Sequence, residues 1–263
     1  KYISNFNLDS NSFIVDIGSN DGVALVPFKE KNINVLGVEP AKNICDIANE
    51  KNINTINSYF NIDVAKDIVK NYKYADIVTA SNVFAHSNNL EEIAKAAFEL
   101  LKKDGVFIIE VQYLLDTIKD LTFDNIYHEH VNYWSVTSLK NFFSRLGYYV
   151  VNVEHINTHG GSIRVYIENT CDNLSSNVNT FIKNENEFGL NKYQTYLDFA
   201  DKVEQAKLNV VRNIKNLKNK GLTLIGYGSP AKATTSLNYY GITSDEINFI
   251  IDDNPLKHNK ILP

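Results

Sequence analysis

Four consecutive residues, Tyr127-His128-Glu129-His130, set a phenol, two imidazoles and a carboxylate side by side. An unperturbed imidazole titrates near pKa ~6.5 and burial tunes a carboxylate upward, so such a set can take a proton near neutral pH. In an extended segment His128 and His130 point one way and Tyr127 and Glu129 the other, whereas a turn lets all four converge. The competing reading of a His-Glu-His triplet is a polar loop that caps neighbouring backbone. A further imidazole stands in Asn82-Val83-Phe84-Ala85-His86. A helical turn there would place Asn82 and His86 on one face; on its own, such a His serves more often as a cap or a core hydrogen-bonder.

These residues need a scaffold, and the first half of the chain supplies an alternation of strands and helices. Residues 13–18 are a short apolar run ending at Gly18, the mark of a buried parallel strand. Ser19-Asn20-Asp21-Gly22 turns the chain into an amphipathic stretch, and a second run, Val35–Val38, ends in Glu39-Pro40. Glu39 follows Gly18 at about the 20-residue spacing expected between a glycine loop and a ribose-binding acid. A helix is predicted over 41–51, a strand near Thr55-Ile56, a helix over 64–72 and a strand over 75–80. A helix over 89–102 should end on Lys103-Asp104-Gly105 as a glycine C-cap, with a strand over 106–111 next. The pattern is that of an α/β protein with a doubly wound parallel sheet. The loop Gly18-Ser-Asn-Asp-Gly22 lacks the third glycine of a dinucleotide fingerprint, which disfavours a diphosphate cofactor.

Bulk properties bound the function. With 263 residues, 44% apolar and 22% charged, the sequence has room for one large domain or two ordinary ones. A net charge of −5 argues against a nucleic-acid-binding surface. No run reaches the ~18 apolar residues of a membrane helix, and no signal peptide opens the chain. Two cysteines are too few for a disulfide framework or a cysteine zinc site, so a reducing cytoplasm is the expected compartment. The absence of methionine suggests an internal stretch of a longer protein.

Asp16-Ile-Gly18-x-x-x-Gly22 followed by Glu39 resembles the class I S-adenosylmethionine (SAM)-dependent methyltransferases. On that resemblance Asp16, Gly18, Asn20, Gly22, Glu39, Pro40, Phe60 and Asn82 would hold SAM. Gly18 lets backbone approach the ligand, Glu39 accepts from both ribose hydroxyls, and Phe60 flanks the adenine. Asn82–His86, Glu110-Val-Gln-Tyr113, Tyr127–His130 and His159-Gly-Gly-Ser-Ile-Arg164 add a narrower signature. In this order they resemble the sugar C-methyltransferases that act on nucleotide-linked 4-keto-deoxysugars, best known from C-3 methylation in antibiotic sugar pathways. The resemblance covers essentially the whole chain. It implies a nucleotide-linked ketosugar as substrate, SAM as cofactor, S-adenosylhomocysteine (SAH) as product, and no metal in the reaction. Zinc in this family belongs to a cysteine-rich N-terminal domain that nothing here matches.

The second half adds a helix over 135–146 with Ser135 as N-cap and Leu139, Phe142, Phe143 and Leu146 inward. Strands over 149–155 and 162–168 flank Thr158-His159-Gly160-Gly161 and should form an antiparallel hairpin. Arg164 could pair with a phosphate or brace that hairpin, the second being preferred. Residues 173–191 are polar and linker-like, and Tyr193–Asn219 is a long helix with an apolar packing stripe. A strand over 222–225, a loop Gly226-Tyr-Gly228-Ser229-Pro-Ala-Lys232, a helix over 233–240 and a strand over 247–251 then repeat the first-half pattern. The expected domains are thus 1–170 for SAM, 171–221 as linker and long helix, and 222–263 as a second, Rossmann-like lobe for the sugar nucleotide. Gly228, Ser229 and Lys232 would suit its diphosphate.

Methylating a carbon beside a ketone requires a base and a stabilised enolate oxygen. The family resemblance assigns His130 as base. Glu129 would orient it or share the proton, Tyr127 and His86 would donate to enolate or sugar oxygens, and His128 would contact the substrate. A rival reading gathers His128, His130 and Glu110 around a metal, as in a metal-dependent isomerase or oxygenase. A third is a nucleotide-sugar-binding module without catalysis.

Overall fold

The computed structural model describes residues 2–158 and 160–262. The chain forms two compact units, one built from residues 1–114 and 131–188, the other from 115–130 and 189–263. This division crosses the borders expected at 170 and 221 and groups Tyr127–His130 with the C-terminal residues.

In the first unit a short helix α1 (Tyr2–Asn5) precedes strand β1 (Phe13–Ile17). All five residues of β1 are buried, as the apolar run demands. There follow α2 (Val26–Lys29), β2 (Asn34–Val38), α3 (Lys42–Glu50), β3 (Thr55–Ile56), α4 (Ile62–Asn71), β4 (Ala75–Ser81), α5 (Leu90–Leu100) and β5 (Leu101–Gln112). After an excursion through α6 (Leu114–Lys119) and a 3-10 turn (Phe123–Asn125), the chain adds α7 (Val136–Arg145), β6 (Tyr149–Ile156), β7 (Ser162–Glu168) and α8 (Ser176–Phe188). The sheet runs β3-β2-β1-β4-β5-β7-β6. Strands β1 to β5 pair in parallel, and β7 enters antiparallel between β5 and β6. The predicted hairpin is therefore present. Gly160 and Gly161 both take positive φ at its turn, and His159 lies outside the described residues.

Two expectations need correction here. Gly105 does not end α5: the helix stops at Leu100, Leu101 is already extended, and Gly105 lies inside β5. A Cβ at Gly105 would meet Leu101 Cδ2 at 2.8 Å and the carbonyls of Ala75 and Asp76 at 3.1 Å, so close strand approach explains the glycine. Residues 173–191 are not an irregular linker, because most of them form α8. That helix buries Glu185, whose carboxylate accepts from Val136 N–H (2.6 Å), Thr137 N–H (3.0 Å), Thr137 Oγ1 (2.5 Å) and Tyr113 Oη (3.0 Å). A glutamate thereby caps a neighbouring helix, α7, alongside the local Ser135–Ser138 capping box.

The second unit contains α9 (Tyr193–Asn219), β8 (Gly226–Tyr227), α10 (Ala231–Tyr240) and β9 (Ile250–Ile251). The expected strand over 222–225 is displaced onto Gly226–Tyr227, which pair in parallel with Ile250–Ile251. Gly226 permits that pairing, since a Cβ there would lie 2.8 Å from Ile250 Cγ1. The helix expected over 233–240 starts earlier, after Pro230, and ends on Gly241 in the left-handed conformation. Lys232 therefore sits in the first turn of α10 rather than in the loop.

Candidate active site

The glycine loop follows from close packing. Gly18 has φ of 64°, and a Cβ there would meet Val83 Cγ2 at 2.7 Å. Its N–H donates to Val38 O at 2.8 Å, tying the loop to the end of β2. Asn20 and Gly22 also have positive φ, which Asn and Gly tolerate best. Glu39, almost buried, accepts from Asn20 N–H through Oε2 (3.0 Å) and from Ala41 N–H through Oε1 (2.8 Å). Asn57 Nδ2 holds the carbonyls of Glu39 and Pro40, each at 2.9 Å. Phe60 is buried beyond β3 and Pro40 is exposed.

Asp16 is buried at 4% exposure and accepts from Thr79 Oγ1 at 2.6 Å. Burial pushes its carboxyl up to about 6, against the smaller opposing effect of the Thr79 bond. Beside it lies a cavity of about 140 Å³ lined by Tyr2, Thr79, Ser81, Glu110 and Arg164 among others. That space suits a small polar group or waters and is below the usual ~300 Å³ of a whole-ligand pocket. Arg164 is committed to the sheet: it pairs with Glu110 at 3.0 Å and Glu154 at 3.9 Å, and its guanidinium lies 5.3 Å from the Tyr2 ring centroid. The bracing geometry is thus present.

Asn82 takes φ of 58° directly after β4, and its N–H donates to Glu110 O. The i, i+4 face expected for Asn82 and His86 does not form, because a left-handed residue cannot open a right-handed helical turn. His86 is exposed. Phe84 anchors this loop, fully buried against Phe107 (5.8 Å) and Phe143 (5.9 Å), while Trp134 Nε1–H donates to its carbonyl at 3.3 Å. Val131 and Asn132 add N–H bonds to Ala85 O.

In the second unit Tyr127–His130 is a turn closed by His130 N–H to Tyr127 O at 3.0 Å. Tyr127 Oη and His130 Nε2 are 3.4 Å apart, with ring centroids at 4.5 Å. His130 Nδ1 lies 2.9 Å from Asn125 O. A backbone carbonyl can only accept, so Nδ1 carries a proton, and Nε2 faces Tyr127. Burial, then the Glu129 charge, raises the Tyr127 phenol, which stays a neutral donor near pH 7. The His128 ring is largely exposed and 3.9 Å from Glu129. Among the described residues no group of three His, Cys, Asp or Glu side chains is placed to hold a metal ion.

The second glycine loop differs from its expected use. Gly228 N–H donates to Ile251 O (2.7 Å), and Ser229 N–H and Oγ both donate to Asp252 Oδ2 (2.7 Å each). Lys257 Nζ joins the same oxygen at 3.1 Å; the Asn254 N–H on Oδ1 (2.9 Å), then the Ser229 and Lys257 bonds, hold the Asp252 carboxyl well below the usual range. Both loop N–H groups expected to meet a diphosphate are therefore engaged within the protein. Asp252 echoes Glu39, because each ends its strand and binds the preceding glycine loop and the N–H two residues onward.

A seven-stranded sheet with one antiparallel strand inserted before the last, a glycine loop after β1 and an acid after β2 define the class I methyltransferase fold. The chain belongs to a methyltransferase family: residues 2–153 match a model described as a methyltransferase domain, and residues 157–263 match a C-methyltransferase C-terminal domain. It is 33% identical over 263 residues to the C-methyltransferase NovU of Streptomyces niveus, covering 99% of this chain and 63% of that protein's length. A SAM-dependent methyltransferase from Archaeoglobus fulgidus superposes with a TM-score of 0.50 at 18% identity, over 63% of this chain and 90% of that one. The magnesium protoporphyrin IX methyltransferase of Synechocystis PCC 6803, solved with SAH, gives 0.50 at 11%, over 64% and 78%. Among the described residues no helix is long and apolar enough to cross a membrane.

The donor set fits SAM. Glu39 is fixed by two backbone N–H groups yet keeps a further lone pair on each oxygen for ribose hydroxyls. Among Asn125, Thr79, Glu185 and Asp252, only Asp252, at a predicted strand end, carries a signal in the sequence.

Proposed function

We propose that the protein is a SAM-dependent C-methyltransferase that deprotonates a nucleotide-linked 4-keto-deoxysugar beside its ketone and methylates that carbon. The reading rests on the similarity to a C-methyltransferase and on one observation above all, the 2.9 Å approach of His130 Nδ1 to the Asn125 carbonyl. With Nδ1–H on the Asn125 carbonyl, Nε2 is the basic atom and Tyr127 its neighbour.

SAM, when bound, supplies an electrophilic methyl group on a sulfonium. Asp16, Gly18, Asn20 and Gly22 shape the loop against which it lies, Glu39 takes the ribose hydroxyls, and Asn82 and Phe60 line the remainder. His130 Nε2 removes the proton next to the ketone, and the resulting imidazolium keeps its bond to Asn125. Tyr127 donates to the enolate oxygen as negative charge develops there, with His86 as a second donor. Burial, and after it the Glu129 charge, raises the Tyr127 phenol and keeps it protonated. The C-terminal lobe takes the nucleotide, with Lys232 at the start of α10 as its cation.

The test is incubation of the full-length protein with methyl-labelled SAM and a panel of nucleotide-linked 4-ketosugars, with label expected on carbon. His130→Ala should lose at least ~10²-fold in rate, the scale of general base catalysis, while still binding SAM. It should also lose deuterium wash-in beside the ketone when SAH replaces SAM. Wash-in that survives in His130→Ala and vanishes in Glu129→Gln would move the base to Glu129.

A further inference from the structure

The turn that carries the base is seated on the C-terminal lobe. The Phe123 ring lies 5.2 Å from that of Tyr239 and 5.7 Å from that of Tyr240, both in the last turn of α10. Tyr239 is in turn fixed to α9. Its hydroxyl donates to Glu204 at 3.0 Å, and Lys207 Nζ stands 4.9 Å from its ring centroid. Two residues beyond Phe123, Asn125 is buried at 1% exposure, with its N–H on Thr122 O (3.1 Å) and its amide on Thr122 Oγ1 (3.2 Å). Its carbonyl receives His130 Nδ1–H.

A 3-10 turn of three residues has poor hydrogen-bond geometry of its own, so its shape depends on what it packs against. The free imidazole side chain prefers its proton on Nε2. Without a well-placed acceptor at Nδ1 the proton would shift there and remove the basic atom. We propose that α10 is the positioning element of the base: the Tyr239–Tyr240 pair, closing on Phe123, holds the Asn125 carbonyl against His130 Nδ1 and fixes the reactive tautomer. The proposal rests on His130 being the base, and it gives the C-terminal domain a part in proton abstraction beyond holding substrate.

The test reads the tautomer directly. In full-length 15N-labelled protein near pH 8, long-range imidazole spectra report which nitrogen is protonated, and His130→Ala identifies the signal among the six histidines. The wild type should show the Nδ1–H form. Tyr239→Ala, Tyr240→Ala and the milder Phe123→Leu should raise the Nε2–H population. Turnover and deuterium wash-in with a dTDP-linked 4-keto-6-deoxyhexose as probe should fall about tenfold or more, with SAM affinity unchanged. Phe123→Tyr and Tyr240→Phe, which keep the rings, should restore both readouts. Should Tyr239→Ala fail to fold, Phe123→Leu carries the test. An unchanged tautomer in folded Phe123→Leu and Tyr240→Ala would overturn the proposal, even if turnover fell. A shifted tautomer with full wash-in would leave the hold of α10 on the ring standing and remove His130 as the base.

Discussion

Asp16→Asn is expected to stabilise the unliganded protein more at pH 7.5 than at pH 4.5. Asp16 is buried, its carboxyl accepts from the neutral Thr79 hydroxyl, and burial pushes it from 3.8 to about 6. The folded pKa lies above the unfolded one, so the folded state binds the extra proton. Its contribution to stability is fully present below pH ~4 and disappears as pH rises through 6. A shift of about two units corresponds to roughly 3 kcal/mol between those limits. Asn keeps the shape and an oxygen for Thr79 Oγ1, and it cannot ionise. Because pH 4.5 already lies above the unfolded pKa, the difference in unfolding free energy between variant and wild type should grow by about 2 kcal/mol of that from pH 4.5 to 7.5, less any relaxation around the amide. Urea unfolding of both proteins across that range measures it, and the other carboxylates cancel in the difference. Parallel curves would mean that Asp16 ionises in the folded protein as it does in water, which would refute the burial argument.

Glu39→Ala should weaken SAM binding by roughly 1–3 kcal/mol, the scale of lost charged hydrogen bonds, and calorimetry with unchanged affinity in a folded variant would remove Glu39 from the site. Glu185→Ala strands four donors at the start of α7 and on Tyr113 and should lower unfolding free energy by about 3–5 kcal/mol, whereas Glu185→Gln should lose less because two acceptor lone pairs remain. Denaturation that ranks Gln below Ala would contradict that account. Lys232→Ala should raise KM for the sugar nucleotide and leave SAM affinity alone; loss of SAM binding with KM intact would reassign the lobe.

The alternation of β1 to β5 with their helices, the glycine loop and the acid that follows it can be read along the chain without coordinates. These are local properties: apolar runs of strand length, glycines where backbone must turn through positive φ, and helix stripes of period 3.6. The Tyr127–His130 cluster is legible as chemistry because its residue types are adjacent, although adjacency alone fits both an extended segment and a turn. Tertiary structure alone decided the rest. Most of the polar stretch 173–191 folds as α8 and is anchored by Glu185, which finds four donors on elements far along the chain that no periodicity announces. Asn82 leaves the helical register for the left-handed region because the loop is pinned through Phe84 and Glu110. The donors of the second glycine loop turn inward to Asp252, a pairing across 23 residues that the glycine pattern cannot reveal. The tautomer of His130 depends on the backbone carbonyl of Asn125, and since every residue carries such a carbonyl, only its placement in space could single it out.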